Sequence, residues 1–370
     1  MSSKRSPDFV LFTLTIALLV VGVFMVFDAS YARAGQSGDS YFYMKRQVIF
    51  AVIGLVMMFV GMRIPYWALR PVALSLLLIS IVGLALVFVP GLGIKVNGAT
   101  RWVKCPGLQQ FQPSELAKLG LILYLAAYLS STGRDIRDFK RGFFWALLPL
   151  APLGGLIMAE PDMGTTIVLT GVCLAMIYMA GARKRHLAAV IAIGLVLGSA
   201  LILTSHYRRD RVLAFVNPFK DYYGSGYQVC RSLTALGSGG VFGVGLCEGR
   251  EKLFYLPAEH TDFIFAVLGE EVGLIGTASI AFLFLLFGVR GIAIAYRTKD
   301  SFGRYLAGGI SALISGQALL NMLVVTSSVP ATGVPLPFIS YGGSSLALNL
   351  LCVGILLGIS KYPVPVKGYR

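Results

Sequence analysis

The residue with the most chemistry to offer is an aspartate at the edge of an apolar run: Asp262, in Leu256-Pro-Ala-Glu-His-Thr-Asp-Phe-Ile-Phe265. An ionisable side chain at membrane depth is costly and by default marks function. A carboxylate beside apolar groups holds its proton more tightly than in water, which brings it into range for general-base work near neutral pH. The plainer reading is that Thr261 or Asp262 caps the following helix. Glu270 and Glu271 lie two turns deeper on diverging faces and read as structural hydrogen-bonding groups.

A second cluster is Phe111-Gln-Pro-Ser-Glu-Leu-Ala-Lys118. Pro113 suits a first helical turn and Glu115 complements the helix dipole there. Lys118, one turn on, is within reach of Glu115. The pair either fixes helix registration from a buried position or presents a cation to an anionic substrate, with Lys95, Arg101 and Lys104 adding charge upstream. Asp162, in Glu160-Pro-Asp-Met-Gly-Thr165, is explained equally well by capping and by function. The run Tyr207-Arg-Arg-Asp-Arg211 suits either lipid headgroups or a substrate phosphate. Gly237-Ser-Gly-Gly-Val-Phe-Gly-Val-Gly245 fits no nucleotide-binding pattern and reads as tight turns and close backbone packing. The histidines (His186, His206, His260) lack ligand spacing, and the odd cysteine count gives no disulfide framework, although Cys230 and Cys247 are close enough in sequence to bridge.

These residues need a scaffold, and composition says which. Of 370 residues, 56% are hydrophobic and only 13% charged, against about a quarter charged in soluble domains. Nucleic-acid binding, disulfide scaffolds and cytosolic metabolic enzymes are poor fits. Apolar runs predict helices at 9–27, 48–62, 67–89, 114–129, 143–158, 164–179, 187–203, 262–289, 305–329 and 344–359; ten spans of about 20 residues would use most of the hydrophobic complement. With the N-terminus inside, Arg134, Arg137, Lys140 and Arg141, then Arg183, Lys184 and Arg185, then Arg290, Arg297, Lys299 and Arg304 all fall in short inner loops. The positive-inside rule then puts both termini in the cytoplasm and explains most of the +15 net charge. The long outer connection, 206–261, is rich in Tyr, Phe and Leu and is expected to be an ordered, membrane-hugging loop of a single membrane domain spanning 1–370. Pro330-Ala-Thr-Gly-Val-Pro-Leu-Pro-Phe-Ile-Ser-Tyr-Gly-Gly-Ser-Ser345 is irregular backbone at a span edge, which is tolerated only inside protein or along a wet cavity. The fold class is an all-α polytopic membrane protein.

The chain resembles the SEDS family, the FtsW/RodA/SpoVE group of bacterial peptidoglycan glycosyltransferases. The resemblance is carried along the whole chain by Asn97-Gly-Ala-Thr-Arg-Trp102, Phe111 to Lys118, Pro161-Asp-Met-Gly-Thr165, Gly226-Tyr-Gln228, Gly237-Ser-Gly-Gly240, Lys252-Leu-Phe-Tyr-Leu-Pro257, His260-Thr-Asp-Phe-Ile-Phe265 and Pro335 to Ser345. It departs at Ala258-Glu259, where Glu-Ala is usual, and at Arg231, where Gln is common. The resemblance implies polymerisation of lipid II at the outer face of the cytoplasmic membrane, with the family's essential outer-loop aspartate at Asp262 acting as base, alone or with a divalent cation such as Mg or Mn. Arg101 and Lys118 become candidates for stabilising the departing pyrophosphate, with Glu115 orienting Lys118. Gln228, Lys252 and His260 join them as candidate substrate-binding residues. A class B penicillin-binding protein and other membrane proteins of the divisome or elongasome are the implied partners. The Phe338-Ile-Ser-Tyr-Gly-Gly-Ser-Ser345 ending leans to the FtsW/SpoVE side. A lipid II flippase and a non-catalytic division scaffold are the rival readings.

Overall fold

A computed structural model describes residues 6–362 apart from 37, 97–98, 105–110, 205, 225 and 254. Asn97, Gly98, Cys105 and Phe254 therefore lie outside the described residues. Apolar runs become helices in the order α1 (Phe9–Gln36), α2 (Phe42–Arg63), α3 (Ala73–Leu86), α4 (Pro113–Thr132), α5 (Phe144–Leu147), α6 (Leu150–Ala159), α7 (Met163–Met179), α8 (Lys184–Leu203), α9 (His206–Val216), α10 (Tyr227–Gly239), α11 (Ile264–Arg297), α12 (Ser301–Val325) and α13 (Gly343–Ser360). Among the described residues six segments are long and apolar enough to cross a membrane: α1, α2, Phe139–Ala159, α11, α12 and α13. α3 and α7 are shorter apolar helices; α4 and α8 lie over the expected spans at 114–129 and 187–203.

Of these six, α12 and α13 are the most enclosed, and α13 packs most extensively on α2. Small residues make that approach possible: a side chain at Gly54 would meet Leu350 and Ala347, and one at Gly354 would meet the Met58 backbone. Close backbone contact of this kind is how helices associate where lipid supplies no hydrophobic drive. By contrast α8 exposes Ile193, Leu195, Val196 and Leu197, side chains suited to lipid.

Two features were not expected. The stretch before α4 forms an antiparallel hairpin of β1 (Gly93–Val96) and β2 (Ala99–Val103), pairing Ile94 with Trp102, with Phe111 bridged to Val103. Second, α11, at about 51 Å from its 34 residues, is longer than a bilayer core requires and is broken at Gly273 (φ 64°, ψ −164°). The glycine-rich turn fills the break. Leu274 and Ile275 donate N–H to the carbonyls of Gly240 and Val241, while Val244 and Gly245 donate to those of Glu270 and Glu271. The groups freed by the kink are thus satisfied inside protein, as irregular backbone at membrane depth requires. The glycine run is close backbone packing, as expected, and any side chain on Gly243 would collide with the Glu271 carbonyl.

The connection 206–261 is ordered: α9, a 3-10 turn at Pro218–Asp221 and α10 precede a series of turns leading to α11. Helix α10 is the most amphipathic element and lies against α11, with Ser232 donating to the Val325 carbonyl at 2.8 Å. Cys230 and Cys247 are free thiols, one buried and one exposed; the chain closes no bridge there.

Candidate active site

Asp262 is not helical. It lies ahead of α11, whose N-cap position is Phe263 with no side-chain capping bond, so the capping explanation of this carboxylate falls away. The segment before it turns at Ala258, a non-glycine residue at φ 56°, whose carbonyl accepts from Thr261 and Phe263.

Three successive carbonyls of this segment are then each held by a donor. Tyr341 N–H donates to His260 O at 2.9 Å. Ser340 Oγ donates to Thr261 O at 2.6 Å. Asn321 Nδ2 donates to Asp262 O and to Val334 O, both at 2.8 Å. Asn321 is buried on α12, and Ser340 and Tyr341 come from the irregular 330–342 loop, so the loop fastens the Asp262 backbone to the bundle. Gly333, at φ 73°, lies so close that a Cβ there would stand 3.4 Å from Asp262 Oδ2. Preorganisation of this kind is what a reacting group needs.

The side chain is half-buried. Burial and the Asp162 carboxylate push its pKa up, Arg101, Arg211 and His260 pull it down, and the balance is about 6. Each of these groups arrives on a different element. Asp162 caps α7, its Oδ1 accepting Thr165 N–H at 3.0 Å and its Oδ2 accepting Thr165 Oγ1 at 2.8 Å. Arg101 projects from β2, with Nε donating to Glu160 O at 3.1 Å and Nη2 to Pro161 O at 2.5 Å. Arg211 reaches from α9 to donate to Ala331 O at 3.0 Å. His260 is packed against the Tyr43 and Tyr341 rings, with centroids at 4.6 and 5.6 Å. Its neighbour Glu259 is fully buried and paired with Arg33 at 2.8 Å. The arrangement offers one carboxylate able to take a proton near neutral pH, ringed by cations suited to an anionic leaving group.

The other expected residues form separate clusters. Lys118 lies within the bundle, paired with Glu115 at 2.8 Å and donating to Gln317 Oε1 at 2.9 Å. Gln317 Nε2 in turn donates to Pro335 O at 2.9 Å, which links this network to the loop that fastens Asp262. Lys252 is buried between Asp28 of α1 and Glu271 of α11, hydrogen-bonded to both. Burial opposes its charge, but the two carboxylates outweigh that and raise its pKa. Glu270 accepts from the backbone N–H groups of Arg250 and Glu251, the structural role expected of it. Gln228 is half-buried on α10.

Asp28, Gln317, Asn321 and Ser340 were not singled out from sequence. Gln317 and Asn321 carried a signal: two amides one helical turn apart in an apolar span share one face. Asp28 directly follows an apolar run, but nothing local points to its partner.

Residues 9–363 match the family model FTSW_RODA_SPOVE, described as "Cell cycle protein". Stage V sporulation protein E of Bacillus subtilis is 44% identical over 362 residues, covering 98% of this chain and 99% of that protein. The "Probable peptidoglycan glycosyltransferase FtsW" of Geobacter metallireducens is 43% identical over 354 residues, covering 95% and 94%. Among solved structures, a chain from "Structural coordination of polymerization and crosslinking by a peptidoglycan synthase complex" superposes with a TM-score of 0.81 at 29% identity, covering 96% of this chain and 98% of that one. The crystal structure of Thermus thermophilus Rod shape determining protein RodA gives 0.71 at 28%, with the same coverage. Family model, full-length relatives and fold agree: the chain belongs to the FtsW/RodA/SpoVE family.

Proposed function

We propose that this protein is a peptidoglycan glycosyltransferase that polymerises lipid II at the outer face of the bacterial cytoplasmic membrane, serving division or sporulation. The names of its relatives support the activity. The observation that carries the reading is Asp262: a half-buried carboxylate whose backbone is held by Asn321, Ser340 and Tyr341, among Arg101, Arg211 and His260. In the reaction the 4-hydroxyl of the acceptor sugar attacks the anomeric carbon of the donor. The new glycosidic bond forms as the bond to pyrophosphate breaks, Asp262 receives the hydroxyl proton, and the pyrophosphate leaves with the bonding electrons. Arg101 and Arg211 favour that developing charge. Lys118, Glu115 and Lys252 act from within the bundle on the elements that hold these groups, and His260 stands beside Asp262.

Asp262 would be the carboxylate to hold a divalent cation such as Mg or Mn, an ion commonly bound through one or two carboxylates together with substrate phosphates; among the described residues no group of three or more His, Cys, Asp or Glu side chains stands ready to cage one without substrate. The steps above describe what the protein's own groups do. Our reading of the topology is ten spans with both termini cytoplasmic and 206–261 outside, supported by the helix order and the basic inner loops. A class B penicillin-binding protein is the expected partner, consistent with the fold's likeness to a chain of a synthase complex that polymerises and crosslinks, within a larger divisome or elongasome.

The test is polymer from labelled lipid II by the purified protein with its cognate penicillin-binding protein, the partner's own activity blocked. Native chain should yield glycan and Asp262→Asn, folded and complexed, none. Equal polymer from both would remove Asp262 from the chemistry. No polymer from either, with the complex intact, would favour the flippase or the scaffold.

A further inference from the structure

Glu160 stands at this site with no part in the chemistry above. It ends α6, is 1% exposed, and neither of its carboxyl oxygens has a hydrogen-bond partner among the described residues. A buried ionised carboxylate with no donor is among the most costly arrangements a fold can carry. Yet it sits where a charge would matter, because its own backbone carbonyl is one of the two that hold the Arg101 guanidinium.

Among the described residues the surroundings give it no counter-charge of its own. The helices packed on α6 are α3 and α7, and neither contains a charged residue. The charged groups that act on it are Asp162, which opposes its ionisation, and Arg101, which favours it. Arg101 offers its Nε and Nη2 to neutral carbonyls, Glu160 O and Pro161 O. Its positive charge thus stays directed at the site around Asp262. A second carboxylate at the same turn, added to Asp162, would cancel that charge.

We propose that Glu160 is a positioning residue that serves the reaction as an uncharged acid: it fills the buried side of the Arg101 turn and keeps that turn free of a second negative charge. This rests on the glycosyltransferase reading for its effect on rate, though not for its effect on the fold. Burial and Asp162 together push its pKa up to about 8, so the uncharged form prevails at neutral pH and is lost on the alkaline side. Polymerisation by the native chain should then fall by about tenfold between pH 7 and pH 9, as expected for a unit charge introduced beside the site in a medium of intermediate dielectric.

The experiment compares the native chain with Glu160→Gln, in complex with the penicillin-binding protein, for initial rate on lipid II and for melting temperature across pH 5–9. Glutamine keeps the shape and cannot ionise. The variant should match the native rate at pH 7 within about twofold and lose the alkaline fall. For melting, a folded pKa above the unfolded one means the native fold binds the extra proton, so its stability declines as pH rises toward 8. Glu160→Gln should therefore melt above the native chain at pH 8 and gain nothing at pH 5. An unchanged alkaline limb in the variant, a collapse of its rate at pH 7, or a melting difference independent of pH would each overturn the proposal. A preparation that makes no polymer at any pH would overturn the glycosyltransferase reading instead, and the melting comparison would still decide whether Glu160 holds its proton.

Discussion

Replacing Lys118 by methionine separates a structural cation from a chemical one. Lys118 and Glu115 are 4% and 5% exposed and 2.8 Å apart, and Lys118 also supplies the proton that Gln317 Oε1 accepts. Lys118→Met keeps the length of the side chain and strips the partner from a buried carboxylate. Breaking a buried pair from one side costs about 3–5 kcal/mol, because an uncompensated charge is left behind. For a chain of this length that is a fall in apparent melting temperature of about 5–10 °C. The double variant Glu115→Gln/Lys118→Met removes both charges and leaves only an amide to satisfy. It should recover most of the loss, a coupling of about 2–3 kcal/mol. Melting of the detergent-solubilised protein reads both the loss and the coupling, and polymer from lipid II reads whether activity follows stability. A double variant that regains both stability and polymer means Lys118 works by holding α4, α12 and the Pro335 loop together. One that regains stability but stays inactive means its charge is used by the substrate. If Lys118→Met melts with the native chain, or the double variant melts no higher than the single, the pair is not a buried charge couple and the reasoning fails.

Two further outcomes follow from the site and the kink. Asp262 must be ionised to accept a proton, and its pKa near 6 predicts a rate that rises with pH through that value and stands about tenfold down at pH 5; a rate flat from pH 5 to 7 removes Asp262 as base. Gly243→Val should cost about 3 kcal/mol or more, since φ is 85° and the new side chain meets the Glu271 and Val272 backbone. Gly240→Ala, at φ 52° and ψ −141° with open space around it, should cost only the backbone strain, about 1–3 kcal/mol; a loss in melting temperature larger than that of Gly243→Val would refute the role given to the glycine turn.

Legibility in the sequence tracked the range of the interaction. The Glu115–Lys118 pair, the Asp162 cap and the helix positions are local, set by spacing or hydropathy, and the structure shows them. The prominence of Asp262 was legible because a charge among Phe263, Ile264 and Phe265 breaks an apolar pattern. What the sequence could not show is what fastens it: Asn321, Ser340 and Tyr341 are 59 to 81 residues from the carbonyls they hold, and the partner of Asp28 is 224 residues away. The hairpin that presents Arg101 was missed because β1 and β2 are 4 and 5 residues long, too short to show an alternating pattern. The α11 break was missed because a lone glycine in an apolar run is common in membrane helices; only the neighbouring turn reveals that Gly273 is left-handed for a reason.

That turn also bears on how the protein is made. Residues 240–245 precede Gly273 in the chain, so during N-to-C synthesis the strip of backbone that completes the broken helix has already been delivered when the helix arrives. Its carbonyls and amides are waiting for Leu274, Ile275 and the carbonyls of Glu270 and Glu271. The groups freed at the kink can therefore pair with backbone that is already made when α11 is synthesised.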